Sequence, residues 1–210
     1  MSEKIIFYHN PMSRGRMVHW MLEECGAPYE VKLIDFSKGE HKLPAFTAVN
    51  PMGKLPTIQH KGAVVTEVGA IIAYLADEFP KAGLAPAIHD PKRGAYLRWM
   101  FFAQGCVDAA IVDKLFSRPP PKETAPLGYG SFADTFRTIT AAITPGPYLL
   151  GETFSAADLF IGAQLGWGMM TKAVEPTPAI AAYVERCTKR PAMARVLAQG
   201  EAFSKKLQAA

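Results

Sequence analysis

Apolar positions in the first part of the chain change period repeatedly, and each change marks an element. Lys4-Ile5-Ile6-Phe7-Tyr8 is a short apolar run closed by His9-Asn10-Pro11, the signature of a strand running into a turn. From Ser13 onward, Met17, Met21 and Cys25 recur with Val18 and Leu22 at helical spacing until Gly26 and Pro28 stop the run. Tyr29, Val31 and Leu33 alternate with Glu30 and Lys32, which predicts a second strand over 29–35. Thr57-Ile58-Gln59 and Ala63-Val64-Val65 flank Lys61-Gly62 as a hairpin, and Val68, Ile71, Ile72, Leu75 and Phe79 trace one helix face before Pro80. The order is strand, helix, strand, then strand, strand, helix. A strand-helix-strand unit implies two parallel strands joined by a right-handed crossover, and the hairpin adds antiparallel ones.

Beyond Pro80 the pattern becomes helical throughout. Pro80 to Pro91, rich in proline, reads as a connection, with the linker proper over residues 81–90. Asp90-Pro91 is a helix start, and the helix it opens reaches about Phe116, where Arg118-Pro119-Pro120-Pro121-Lys122 breaks it. A helix follows from Ser131 to Ile143, ended by Pro145-Gly146-Pro147. Ser155-Ala156-Ala157-Asp158 has capping-box spacing, with Phe154 and Leu159 placed as a hydrophobic staple. The next helix carries Gly162, Gly166 and Gly168 at helical spacing, which predicts close packing against a neighbour. Short helices over 178–189 and 191–199 finish the chain. The expected fold class is α/β plus all-α: a mixed-sheet domain over residues 1–80, a linker over 81–90, and an all-helical domain over 91–210.

Composition narrows the class. With 49% hydrophobic and 20% charged residues the chain has the means for a globular core. No apolar run approaches the roughly 18 residues of a membrane span, and the opening MSEKIIFYHN has no signal-peptide pattern, so a cytoplasmic location with no membrane partner is expected. Cys25, Cys106 and Cys187 are scattered and have no CxxC or metal-ligand spacing, so neither a disulfide framework nor a metal site is expected. The net charge of +4 is spread along the chain and marks no nucleic-acid surface.

The chemistry concentrates in Asn50-Pro51-Met52-Gly53-Lys54-Leu55-Pro56-Thr57 and in Thr66-Glu67 beyond the hairpin. A proline cannot donate to a strand ladder, so Pro56 belongs at a strand's first position. It drives Leu55 to extended geometry with its own N–H and C=O free. A free extended backbone beside a carboxylate at a helix start suits a small peptide ligand. That order of parts resembles the glutathione site of the glutathione transferases, theta-like or beta-like bacterial members in particular, and Thr66-Glu67-Val68-Gly69-Ala70-Ile71-Ile72-Ala73-Tyr74-Leu75-Ala76 strengthens the likeness. The resemblance covers the whole chain, loosely in its helical half. It implies a thioredoxin-like first domain and glutathione as co-substrate, held by His41, Lys54, Leu55, Pro56, Glu67 and Val68. It also implies a small-molecule electrophile, a hydrophobic site shaped by the second domain, and a homodimer. Glu67 would meet the γ-glutamyl ammonium while N–H groups of Glu67 and Val68 hold that group's carboxylate. Many members carry Ser or Thr where this chain has Val68.

The catalytic residue implied is Ser13, in Asn10-Pro11-Met12-Ser13, the frame that redox proteins of the thioredoxin fold fill with C-P-x-C. A serine at a helix start is also a good cap, and the two roles are compatible. A free thiol, with a pKa of about 8.5, is only about 3% thiolate at neutral pH, and lowering it by ~2 units takes ~2.7 kcal/mol. One charge-assisted hydrogen bond (~1.5–3 kcal/mol) plus a helix terminus (~0.3–1 kcal/mol) supplies most of that. Serine- and cysteine-type members usually place this residue four before the match to Arg16, which here is Met12, so Tyr8, Asn10 and backbone amides remain open as alternatives. A glutathione-dependent isomerase or dehalogenase and a non-catalytic relative of the same fold are the competing functions.

Overall fold

The computed structural model describes residues 4–119 and 123–209. Its first strand, β1 (Ile5–His9), lies inside a four-stranded sheet with β2 (Tyr29–Leu33), β3 (Thr57–His60) and β4 (Ala63–Thr66) in the order β2-β1-β3-β4. β1 pairs parallel with β2 and antiparallel with β3, and β3 pairs antiparallel with β4. Successive side chains of a strand point to opposite faces. Ile5, Phe7 and His9 are accordingly buried on one face, while Tyr8 turns to the other and meets Phe46 of the short helix α2 (Pro44–Thr47). Helix α1 (Gly15–Cys25) packs on α3 (Val68–Glu78) through the apolar faces that the periodicity picks out, with Met21, Leu22, Ile71, Ile72 and Leu75 fully buried. The arrangement is the thioredoxin-like one expected. Helix α2 and the 3₁₀ turns Glu40–Lys42 and Pro80–Ala82 are additions that no hydrophobic period announces.

The remaining elements are helical. Helix α4 (Arg93–Phe102) passes through a π-helical stretch, Ala103–Val107, into α5 (Asp108–Leu115). The single helix expected over this region is therefore continuous but locally widened. Widening breaks the regular ladder, and the Ala103 carbonyl there accepts a bond from the buried Gln164 Nε2 at 3.0 Å. Of the loop expected to break this helix, Pro120, Pro121 and Lys122 lie outside the described residues. Helix α6 (Phe132–Ile143) is capped by Ser131, and α7 (Ala156–Met170) by the expected Ser155–Asp158 box. Close approach at Gly162 is real: a Cβ there would stand 3.0 Å from Cys187 Cβ in α8 (Pro178–Thr188).

The last helix, α9 (Pro191–Gln208), runs well beyond the expected end at 199 because Gly200 lies within it without stopping it. Contacts divide the chain into one compact unit of residues 1–82 with 190–210 and another of 83–189. The C-terminal segment, grouped by sequence with the helical half, thus belongs with the sheet. The reason is a ladder of polar links from α9 to α1. Arg190 grips Glu24 through two bonds of 2.7 Å, Arg195 pairs with Glu23, Gln199 Oε1 accepts from His19 Nε2 at 2.8 Å, and Phe203 packs on His9 and His19. With its Glu24 side chain only 6% exposed, the Arg190 pair is of the kind whose disruption costs about 3 kcal/mol or more.

Candidate active site

Register brings the sequence's chemical segments to one edge of the sheet. Tyr8 stands opposite Thr57, and Thr57 opposite Thr66, so the end of β1, the start of β3 and the end of β4 are neighbours. The residues that follow β1, precede β3 and follow β4 therefore emerge side by side.

Asn50 builds the middle segment. It is buried, its Oδ1 accepts from Met52 N at 3.1 Å, and its Nδ2 donates to the Lys54 carbonyl at 2.9 Å and to Thr57 Oγ1 at 3.1 Å. Gly53 completes the turn with φ +59°, and a Cβ there would lie 2.5 Å from the His41 carbonyl, so only glycine lets the two segments meet. Lys42 Nζ donates to the Met52 carbonyl across the same contact. His41 sits in the Glu40–Lys42 turn against Phe36, its buried Nδ1 without a partner among the described residues.

The turn delivers Leu55 and Pro56, joined by a cis peptide. Among the described residues, neither the N–H nor the C=O of Leu55 has a hydrogen-bond partner. Glu67 follows β4 at φ 67°, ψ 126°, a sparsely populated conformation costing about 1–3 kcal/mol for a side-chain-bearing residue. Its exposed carboxylate has no partner among the described residues, and it opens α3, whose first N–H groups have no acceptor within the helix. Lys54 is exposed.

The three side chains open to the thiolate role are all engaged. Tyr8 OH donates to Gln59 Oε1 at 2.9 Å. Asn10, buried, donates from Nδ2 to the Ile34 carbonyl at 2.8 Å and accepts from Met12 N at 2.9 Å. Ser13 Oγ donates to the Asn10 carbonyl at 2.7 Å and accepts the Gly15 N–H at 3.0 Å, so it satisfies one of the free donors at the start of α1. Ser13 and Tyr8 each carry a hydroxyl hydrogen that can swing to a new acceptor without moving any heavy atom, and of the two Ser13 is the one at the start of α1. Met12, in the slot usual for serine-type relatives, is 88% exposed and its side chain has no hydrogen to donate.

Two histidines beside this edge escaped the sequence analysis. His9, read there as part of a turn, is the last residue of β1 and is fully buried; burial, then the charges of His19 and Arg16, lower its pKa to about 3. His19 is also buried, and its pKa is lowered for the same leading reason. Only the alternation of Ile5, Phe7 and His9 hinted at this, and the Asn-Pro turn signal obscured it.

The comparisons with known proteins agree with this architecture. Residues 3–77 match the family described as glutathione S-transferase, N-terminal domain. Glutathione S-transferase GstA of Escherichia coli O157:H7 is 25% identical over 187 residues, covering 88% of this chain and 92% of that protein. Glutathione S-transferase hmp2 of Hypomyces subiculosus is 30% identical over 172 residues, covering 74% of this chain and 78% of that protein. Among solved structures, a glutathione transferase homolog from Sulfitobacter with bound glutathione has a TM-score of 0.77 at 26% identity, covering 94% of this chain and 98% of that one. The chain belongs to the glutathione S-transferase family and is a glutathione transferase by class.

Proposed function

We propose that glutathione binds along the sheet edge and that its thiolate attacks a hydrophobic electrophile or a peroxide. One observation carries the reading: among the described residues, the N–H and C=O of Leu55, beside Pro56, and the carboxylate of Glu67 have no hydrogen-bond partner. A peptide's cysteinyl backbone fits those two groups in antiparallel fashion. The Glu67 carboxylate suits the γ-glutamyl ammonium, and the N–H groups of Glu67 and Val68 suit the γ-glutamyl carboxylate. Lys54 and His41, drawn together by the Asn50 turn, serve the glycyl end.

In this reading Ser13 stabilises the sulfur by turning its hydroxyl from the Asn10 carbonyl to the thiolate. The exchange gives up a neutral hydrogen bond of about 0.5–1.5 kcal/mol for a charge-assisted one of about 1.5–3. The net gain of about 1 kcal/mol, added to the helix terminus, favours the thiolate. The protein acts as a homodimer in the cytoplasm. Exposed apolar side chains on both units, among them Met52, Val64 and Phe101, are compatible with pairing, and no helix among the described residues is long and apolar enough to cross a membrane. Calorimetry with glutathione, followed by turnover of a chloro-nitroaromatic, tests the reading. Absence of glutathione binding would refute it, and binding without turnover across a broad electrophile panel would favour the non-catalytic alternative.

A further inference from the structure

Strand β1 ends at His9, where Ile34 N donates to the His9 carbonyl at 2.9 Å and carries the β1–β2 ladder one bond further. The register of the two strands, Ile5 opposite Tyr29 through His9 opposite Leu33, puts Asn10 opposite Ile34. In a parallel ladder of evenly spaced bonds the Ile34 carbonyl would next accept from residue 11. Residue 11 is Pro11, which has no N–H to give. The Asn10 side chain makes that bond instead, its Nδ2 donating to the Ile34 carbonyl at 2.8 Å. Its Oδ1 accepts from Met12 N at 2.9 Å, which turns the chain out of the sheet toward α1. One buried amide thus ties the turn that leads into Ser13 to the sheet.

A turn or a helix start by itself asks for less. Asp, Ser or Thr would serve the Met12 N–H equally well, and Asp would complement the positive end of α1 better. Asp, however, would turn a carboxylate oxygen on the Ile34 carbonyl and bring negative charge to the place read as a thiolate site. Of side chains this short, only Asn offers a donor and an acceptor without charge. The backbone of Asn10 completes the arrangement, since its carbonyl accepts Ser13 N at 2.9 Å as well as Ser13 Oγ at 2.7 Å. When the hydroxyl turns away, the carbonyl keeps its bond from the N–H, so the exchange leaves no acceptor empty. We propose that Asn10 is the positioning residue of the thiolate step: its amide holds the turn so that the Ser13 hydroxyl passes from the Asn10 carbonyl to the glutathione sulfur without backbone movement. The proposal rests on the reading of Ser13 as the partner of the thiolate.

Ultraviolet titration of the thiolate in the complex with glutathione tests it, in Asn10→Ala, Asn10→Ser, Ser13→Ala and the double variant Asn10→Ala/Ser13→Ala. Asn10→Ser keeps an acceptor for Met12 N but is too short to reach the Ile34 carbonyl, so it removes the tie to β2 by a milder change. Each Asn10 variant should raise the pKa of bound glutathione by about 0.5–1 unit, with glutathione affinity by calorimetry nearly unchanged. The double variant should shift no further than Ser13→Ala alone, because Asn10 acts through the hydroxyl. A residue that only supported the fold would lower stability to urea and leave the titration in place. The titration reads the folded complex, so a loss of stability in either variant does not mask the shift. A titration unmoved in both Asn10 variants, or a double-variant shift equal to the sum of the single ones, would overturn the proposal while the reading of Ser13 stands. A titration unmoved in Ser13→Ala would overturn that reading and this proposal together.

Discussion

Helices α7 and α3 each have an acidic residue at their start, and the two carboxylates live in opposite conditions. Asp158, fully buried in α7, accepts four bonds: from Leu149 N at 2.8 Å, Ser155 N at 2.9 Å, Ser155 Oγ at 2.7 Å and Tyr183 OH at 2.9 Å. Burial still pushes its pKa up against the pull of those bonds. Glu67, ahead of α3, is exposed, held at positive φ and without a partner among the described residues. Similar chemistry at similar places thus separates a carboxylate used by the fold from one left over for something else. Saturation marks the structural group, and unspent capacity on a strained backbone marks the candidate ligand contact.

Breaking the structural side of this contrast should have the largest effect. Asp158→Ala strands Leu149 N, Ser155 N and Tyr183 OH in a buried setting, which should cost at least about 3 kcal/mol. Urea unfolding would show the loss, while the glutathione affinity of the folded fraction should be unchanged. Acid should then strike the first unit rather than the α7 cap. His9 binds its proton only near pH 3 when folded and near 6.5 when unfolded, so the unfolded state takes up more protons in that window. Stability is therefore full above about pH 6.5 and falls as pH drops toward 3, with His19 adding in the same direction. Asp158, with its raised pKa, does not share that loss. Hydrogen exchange at pH 7 and pH 5 should show protection falling in α1 and α9 before α7.

On the ligand side, Glu67→Ala should leave stability nearly unchanged and weaken glutathione binding by about 1.5–3 kcal/mol, roughly ten- to a hundred-fold, read by calorimetry.

The contrast was only half legible in the sequence. The α7 cap could be read because a capping box is local, all of it within Phe154 to Leu159. The Leu-Pro and Thr-Glu segments could be read because proline and helix-start chemistry are also local. The positive φ of Glu67 could not, since nothing in Thr-Glu-Val calls for it and the surrounding hairpin imposes it. The docking of α9 was equally hidden. Arg190 and Glu24, and Gln199 and His19, stand far apart in the chain, and their pairing needs the sheet and α1 already in place. The local bonds of Ser13 went unseen because a hydroxyl's choice between a carbonyl and a ligand leaves no mark in the residue order.

Smaller effects sharpen the comparison. Ser13→Ala should raise the pKa of bound glutathione by about 1 unit, the net worth of exchanging a neutral for a charge-assisted bond, with little change in affinity. Ultraviolet titration of the thiolate, run beside Tyr8→Phe and Asn10→Ala, would move the role to another residue if only that variant shifted the curve. Glu67→Gly should relieve the backbone strain and stabilise the free protein by about 1 kcal/mol while losing glutathione affinity as the alanine variant does. Destabilisation by the glycine variant would mean that the positive φ carries no strain.

A crystal structure of the chain with glutathione tests the central claim most directly. It should show the cysteinyl N–H and C=O bonded to the C=O and N–H of Leu55, and the γ-glutamyl ammonium within hydrogen-bond distance of the Glu67 carboxylate. Glutathione bound elsewhere, or Leu55 left without a partner in the complex, would contradict it.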